Sequence, residues 1–493
     1  MLERKKMIET NAYKKAQGAL LASAIGDALG WPNEVNSGNQ NRPNRQGNSF
    51  SPWKRKNKNP FWHIETINGG EYSDDTQLTL AVARCLLSMD WKQQFTKVEY
   101  PFWTKYERGA GKAVKRAAFF WEKGNAPWKD NDYVKAYYAA GGNGGAMRIL
   151  PHIIKNHNQD ITITLGEVVE NVILSHGHPR AILGATCYAY ALDYLFRKQT
   201  KLEYLEIIDV LLETRNIWGA VPEDNIAEWL DFAKKNAGYD YALEWNKIYI
   251  RMVNMLEFIK KSLGSGLLSE DEYVLKYLGA YSEFAGAGDI GIVTAVYFFS
   301  KYVNTPELAI SIPATSYGTD TDTIASMTGG LIGAFSGMDW IPLEWRSVQD
   351  YSYILDISAK LYGDARCGDE LESTGIGRLE IISDEVISSK YSDIVISKCR
   401  TEFGQTIYLK KTLKKETRKN LVGEENKEQA IAIGLSDIEA MYMDEMLKRI
   451  TLRKVLQILK LRLYGADENQ ISMEANVDIK TVDRLLEYFL KQI

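Results

Sequence analysis

Four cysteines, Cys85, Cys187, Cys367 and Cys399, are scattered through a chain of 493 residues. They lack the paired spacing of a zinc site and are too few to staple a fold. A disulfide scaffold is therefore excluded, and a reducing, cytoplasmic setting is expected. His176 and His178 stand one residue apart with no cysteine or third histidine nearby, a poor zinc pattern. A loop histidine that contacts substrate or caps the next helix is the expected role. No uninterrupted apolar run is long enough to span a bilayer. The N-terminus runs from Met1 through Lys5 and Lys6 into polar residues, without the apolar core of a signal peptide. No membrane association is expected. A large charge of either sign is also missing: the net charge of -4 gives no global pull toward nucleic acid or anionic lipid. Neither a phosphate-binding P-loop nor a nucleophile elbow occurs, and no solenoid repeat is found.

What is present is the composition of a soluble globular protein, 45% hydrophobic and 25% charged. The length predicts two or three folded units. Helical period dominates up to about Gly363. Residues 13–30 read as a helix with Gly18, Ala22, Gly26 and Gly30 on one face. Residues 35–68, rich in Asn, Pro, Lys and Trp, read as a long irregular loop with Lys54, Arg55, Lys56 and Lys58 at a solvated tip, a phosphate contact being the alternative. Further helices are expected from Gln77 to Ser88, from Val98 to Gly124 with a break at Gly109–Gly111, from Arg180 to Arg197, and through 202–310. No strand alternates cleanly in this part. Beyond Asp364 the texture changes. Residues 378–382, 392–397 and 406–409 alternate like short strands, and a basic run from Lys410 to Lys419 follows. From Ser436 helices return with helix-turn-helix spacing. The expected organisation is an all-α domain over 1–363, a small strand-containing segment with a basic linker over 364–423, and a helical domain over 424–493.

The candidate chemistry gathers around residues 316–323. Asp320 and Asp322 lie two residues apart, each beside a hydroxyl residue, and Gly318 permits the tight turn that lets them converge. Behind them Gly329, Gly333 and Gly337 recur at four-residue spacing. Each helical glycine costs about 1 kcal/mol relative to alanine, so the stripe marks a helix that another backbone approaches closely. The small-residue helix at 13–30 offers that backbone, and its end brings Asp27 or Glu34 near the later aspartates. Oxygen ligands at such a helix mouth suit a magnesium-type ion. A plain helix cap is the alternative, and on this stretch both remain open. Ser73-Asp74-Asp75-Thr76, before a second apolar helix, poses the same choice. Capping accounts for one aspartate and less well for two such clusters. Asn143 among four glycines suggests backbone amides facing an anion or sugar, with a simple turn as the alternative.

In one order along the chain, Gly18–Glu34, Tyr72–Thr76, Gly142–Arg148, Ser175–His176 and Gly318–Ile324 resemble the motifs of the ADP-ribosylglycohydrolases. That family includes the dinitrogenase-reductase-activating glycohydrolase. The Asn143 loop, Gly109–Gly111 and Ile324–Gly330 most resemble the branch that removes ADP-ribose from serine and cleaves ADP-ribose polymers. The resemblance covers residues 13–363 and implies an orthogonal helical domain holding two Mg2+ or Mn2+ ions. By position it implies Ser73, Asp74, Asp75, Asp320, Asp322 and Thr323 as metal ligands, and Glu34 as the acidic residue near the scissile bond. It implies ADP-ribose binding by Gly142, Asn143, Gly144, Gly145, Ala146, Met147, Arg148, His176 and Gly318. Ser73 stands where threonine is usual, and Thr319 replaces a glycine beside the ligands.

Hydrolysis at a ribose anomeric carbon needs a stabilised oxocarbenium ion and an activated water or leaving group. Carboxylates on a cation stay ionised and donate protons poorly, which separates Glu34, as general acid or base, from the ligands. The expected function is metal-dependent release of ADP-ribose from an ADP-ribosylated protein or other conjugate. The alternative is an ADP-ribose or nucleic-acid binding module without turnover, addressed by the C-terminal helices. Residues 451–493 hold seven Lys/Arg and six Asp/Glu, a weak balance for DNA, so a protein partner is an equal expectation there. A chain ended near Gly363 is expected to fold and hydrolyse, since every motif precedes that point.

Overall fold

Small residues at every fourth position let two helices meet backbone to backbone, and the site is built at one end of that seam. In the computed structural model, α1 spans Leu2–Gly30 and packs antiparallel against the helix Thr321–Ser336. A methyl group on Gly26 would lie 2.2 Å from the Ala325 carbonyl oxygen, and one on Gly329 would lie 2.1 Å from that of Ala22. Ser23 and Ser326 share a 2.8 Å hydrogen bond across the seam. Gly329→Ala is therefore expected to lower stability by about 3 kcal/mol, the upper end for overpacking, because backbone rather than a flexible side chain stands in the way. A melting curve within a degree of the parent would contradict this.

The structure describes residues 2–40, 48–57, 62–265, 270–363, 378–388 and 392–414, together with 458, 471, 472 and 482. The chain divides into two compact units, Met1–Lys415 and Glu416–Ile493. The first is mainly helical. Its core includes α2 (Asp74–Cys85) and the helices Pro179–Arg197 and Gly288–Tyr302, buried along most of their lengths. α2 starts three residues before the expected Gln77 because Ser73 caps it, accepting from the Asp75 amide at 3.3 Å. The expected interruption at Gly109–Gly111 is present: a π-turn over Phe95–Glu99 and a short helix Tyr100–Trp103 precede it, and a separate helix Lys112–Glu122 follows. Gly109, at φ +102, sits in the break.

The segment 35–68 is not wholly irregular. β1 (Trp53–Asn57) and β2 (His63–Ile67) form an antiparallel hairpin with Trp53 opposite Ile67. A fully buried Glu65 occupies an inward position of β2, so the apolar alternation that marks a strand is broken there.

The strand texture beyond Asp364 becomes an antiparallel sheet in the order β3 (Leu379–Ser388), β4 (Ser392–Thr401), β5 (Thr406–Lys414). The expected boundary at Gly363 does not set this sheet apart. Cys399 and Ile407 join the main core. The Thr406 amide donates to Asp350 at 2.9 Å, and Gln405 accepts from Arg84 at 2.6 Å. Sheet and helices therefore form one unit ending at Lys415. Apart from residues 458, 471, 472 and 482, the expected helix-turn-helix lies outside the described residues, as do Lys58 and, in the basic run, Lys415, Arg418 and Lys419. Among the described residues no helix is long and apolar enough to cross a membrane.

Candidate active site

A cleft of about 1070 Å3 opens at the end of the seam where α1 stops and the helix Thr321–Ser336 starts. Its floor carries Asp74, Asp75, Asp320, Asp322 and Thr323, and Glu34 faces them from the turn after α1. The two acidic clusters, 248 residues apart, meet directly: the Thr323 hydroxyl donates to the Asp75 carboxylate at 3.0 Å. Asp320 occupies the N-cap position of its helix yet makes no capping hydrogen bond. Its carboxylate instead accepts from the Asn143 side-chain amide at 2.7 Å. The plain capping reading therefore fails at Asp320, whereas Ser73 does act as a cap.

Asp27, fully buried, organises the floor from below. Its carboxylate accepts from the Ser73 amide at 3.0 Å, the Thr76 amide at 3.0 Å and the Thr76 hydroxyl at 2.6 Å. One carboxylate oxygen each from Asp27, Asp75 and Asp322 lie within 4.8 Å of one another. Oxygens bound to a common Mg2+ or Ca2+ stand about 2.0–2.6 Å from it, so this span admits such an ion. The donors are carboxylates and a hydroxyl, with no histidine or cysteine among them, which fits a hard divalent cation.

Electrostatics support the same fit. Burial, then Glu34, Asp320 and Asp75, push the Asp322 carboxyl well above the usual range. Burial, then Asp27, Asp74 and Asp320, do so at Asp75. Burial, then Glu107, Asp27 and Glu34, do so at Asp74. Glu34 is pushed up to about 8 by burial first and Asp320 second, with Arg55 opposing. A divalent cation among carboxylates this crowded would offset their repulsion and favour the ionised forms.

Beside the floor, the loop from Gly142 brings Asn143, Gly144 and Met147 to the cleft, with His176 behind it. The loop is pinned by the Asn143 amide donating to the Gly286 carbonyl at 2.9 Å. His176 shares a 2.8 Å hydrogen bond with Ser175, and burial with the nearby Arg148 lowers its pKa to about 3. It is a neutral imidazole, suited to hydrogen bonding and unsuited to carrying a proton. His178 caps the helix Pro179–Arg197 through the Arg180 amide, 3.2 Å away.

Five residues of the expected set do not line the cleft. Ser73 is fully buried under the floor as a cap. Gly145 packs on Val172, and Ala146 is fully buried. Arg148 spends its donors on Asn171, Ser175 and the Gly144 carbonyl, so it braces the loop from within. Gly318, at φ +97, shapes the turn against Tyr281. Conversely, Arg55 is no solvated loop tip: it lines the cleft, pairs with Glu65 at 3.1 Å and lies over the Trp31 ring. Glu107, also in the cleft, has no motif around it to single it out.

Residues 9–370 match the ADP-ribosylglycohydrolase family. The chain is similar to ADP-ribosylhydrolase ARH3 of Danio rerio, 26% identical over 309 residues that cover 59% of this chain and 77% of the relative. It is 23% identical to ADP-ribosylhydrolase ARH3 of Xenopus tropicalis over 338 residues, covering 61% and 86% respectively. A solved structure described as an ADP-ribosylglycohydrolase-related protein complex superposes with a TM-score of 0.47 at 19% identity, over 73% of this chain and 99% of that one. With the match running through most of the first unit, the chain belongs to the ADP-ribosylglycohydrolase family.

Proposed function

We propose that the chain is a metal-dependent hydrolase that cleaves the glycosidic bond at the ribose anomeric carbon of ADP-ribosylated substrates and releases ADP-ribose. The observation that carries this reading is the juxtaposition, in one cleft, of a protonatable Glu34 with a floor of aspartates that, among the described residues, form no ion pair. Asp74, Asp75, Asp320, Asp322 and Thr323 would hold one or two divalent ions, with Asp27 both fixing the Ser73–Thr76 turn and bringing a carboxylate oxygen within 4.8 Å of those of Asp75 and Asp322. Mg2+ or Mn2+ bound there supplies charge that orients ribose hydroxyls and polarises a water. Burial and the neighbouring Asp320 raise the Glu34 carboxyl, which suits it to give a proton to the leaving oxygen and then take one from the attacking water. The Asn143 loop and neutral His176 position the rest of ADP-ribose by hydrogen bonds, and Asn143 also holds Asp320 in place.

Incubating the protein with an ADP-ribosylated peptide and following free ADP-ribose by mass spectrometry tests the reading. Release with Mg2+ and none with excess chelator is expected. Undiminished release in chelator sinks the metal assignment, and binding without release returns the protein to the class of readers. Glu34→Gln is expected to retain metal and ADP-ribose affinity while kcat falls about 10²-fold, the low end for losing an acid–base group. If calorimetry shows metal binding lost in this variant, Glu34 is a ligand.

A further inference from the structure

The family match ends at residue 370, so β5 lies beyond it. Tyr408 and Lys410 nevertheless reach from β5 into the charged network behind the cleft. They stand two apart on a strand, hence on the same face. The Tyr408 hydroxyl donates to Glu71 at 2.6 Å, and its ring lies 3.7 Å from the Arg108 guanidinium carbon. Arg108 in turn donates to the other Glu71 oxygen at 2.5 Å. Lys410 pairs with Glu65 at 2.7 Å, and the opposite Glu65 oxygen holds Arg55 at 3.1 Å and Asn57 at 3.3 Å. Glu65 is fully buried, and Glu71, Arg108 and Tyr408 nearly so.

Both chains of contact end at walls of the cleft. Arg55 and Asn57 belong to β1 and line it. Arg108 precedes Gly109, where a methyl group would lie 2.9 Å from an Asp74 carboxylate oxygen. In a buried network water does not replace a lost partner, so a charge deprived of one must turn to another. Lys410 shares Glu65 with Arg55, whose Nε also donates to the Ser37 carbonyl at 3.1 Å; the Tyr408 hydroxyl shares one Glu71 oxygen with the Asn68 amide, 2.7 Å away, while Arg108 holds the other.

We propose that Tyr408 and Lys410 are positioning residues of the active site: Lys410 fixes the hairpin that presents Arg55, and Tyr408 fixes the Arg108–Gly109 loop against Asp74. The proposal rests on the reading of the cleft as an ADP-ribose site, and its test separates the two. In the 493-residue chain, Lys410→Met, Lys410→Arg and Tyr408→Phe are compared with the parent. The readouts are ADP-ribose calorimetry, Mg2+-dependent melting and hydrogen–deuterium exchange. Lys410→Met is expected to weaken ADP-ribose binding about five- to tenfold, as for coupled neighbours, and to speed exchange in residues 53–57 and 63–67. Lys410→Arg is expected to restore both. Tyr408→Phe is expected to speed exchange over 106–111 and to raise the Mg2+ concentration that gives half the melting shift.

Lower melting temperatures with unchanged affinity, metal response and local exchange would make both residues simple buttresses and overturn the proposal. If Lys410→Met does not fold, Tyr408→Phe, which keeps the ring, decides the matter. A parent protein that fails to bind ADP-ribose refutes the reading of the cleft, while exchange at the two segments still accepts or rejects the positioning role.

Discussion

A chain ended at Gly363 is expected to be insoluble, or to melt at least about 10 °C below the 493-residue protein, a loss of several kcal/mol for a unit of this size. The motifs all precede that point, which is why the sequence alone suggests a tolerated cut. The sheet, however, is part of the first unit's core. Removing it uncovers the apolar surface now packed against Cys399, Ile407, Phe403 and Leu409. It also takes Gln405 from Arg84. Asp350, held at φ +60, loses the Thr406 amide that accompanies that strained backbone. A chain ended at Lys415 keeps all of these contacts and is expected to melt close to the 493-residue protein. Differential scanning calorimetry of the two truncations decides the matter, and equal melting of both would return the sheet to the status of an appendage.

Asp322→Asn is expected to reduce hydrolysis roughly 10³-fold or more, the scale of losing metal-ion charge stabilisation. It should also do something a generic lesion does not. In the folded chain Asp74, Asp75 and Asp322 are held above their ordinary range, and Glu34 at about 8. Groups with raised folded values bind protons more tightly folded than unfolded. Their contribution to stability is fullest in acid and is lost as pH rises from about 4.5, the unfolded range of carboxyl groups, through the folded value of Glu34 near 8. Without divalent ions the protein should therefore become less stable across that window. Added Mg2+ should offset the loss increasingly toward pH 8, because it binds the ionised form. Removing one carboxylate relieves the repulsion, so ion-free Asp322→Asn should melt above the ion-free parent at pH 8 and show little response to Mg2+. A variant that melts lower at pH 8 and keeps a full Mg2+ shift would refute Asp322 as a ligand.

Much of this site was legible because its chemistry is local in sequence. Asp74–Asp75 and Asp320–Asp322 each announce themselves beside a hydroxyl and ahead of a helix, and the glycine stripes on both helices say which backbones must touch. Asp27 was legible, with Glu34, as an acid that the end of the first helix brings near the later aspartates, but its hold on the Ser73–Thr76 turn was not. Residues whose role depends on distant partners were harder to read. Arg55 looks like part of a solvated basic tip until Glu65 and Trp31 are brought beside it. Arg148 sits within a binding motif yet braces its loop, because Asn171 and Ser175 take its donors. The β1–β2 hairpin escaped notice because Glu65 breaks the apolar pattern of β2. The burial of that charge depends on Lys410, 345 positions further along the sequence.

The seam between α1 and the helix Thr321–Ser336 also sets an order of events during synthesis. Gly30 and Thr321, joined by a hydrogen bond from the Thr321 hydroxyl at 2.9 Å, are 291 residues apart. At about 5–20 residues per second, α1 leaves the ribosome roughly 15–60 s before its partner exists. For that interval its small-residue face has no matching surface, and Asp27 and Glu34 face no second acidic cluster. The carboxylates therefore meet only late in translation, after most of the helical scaffold has emerged to hold them together. A nascent chain stalled before residue 320 should accordingly carry many of the helices of this fold and none of its ion-binding capacity.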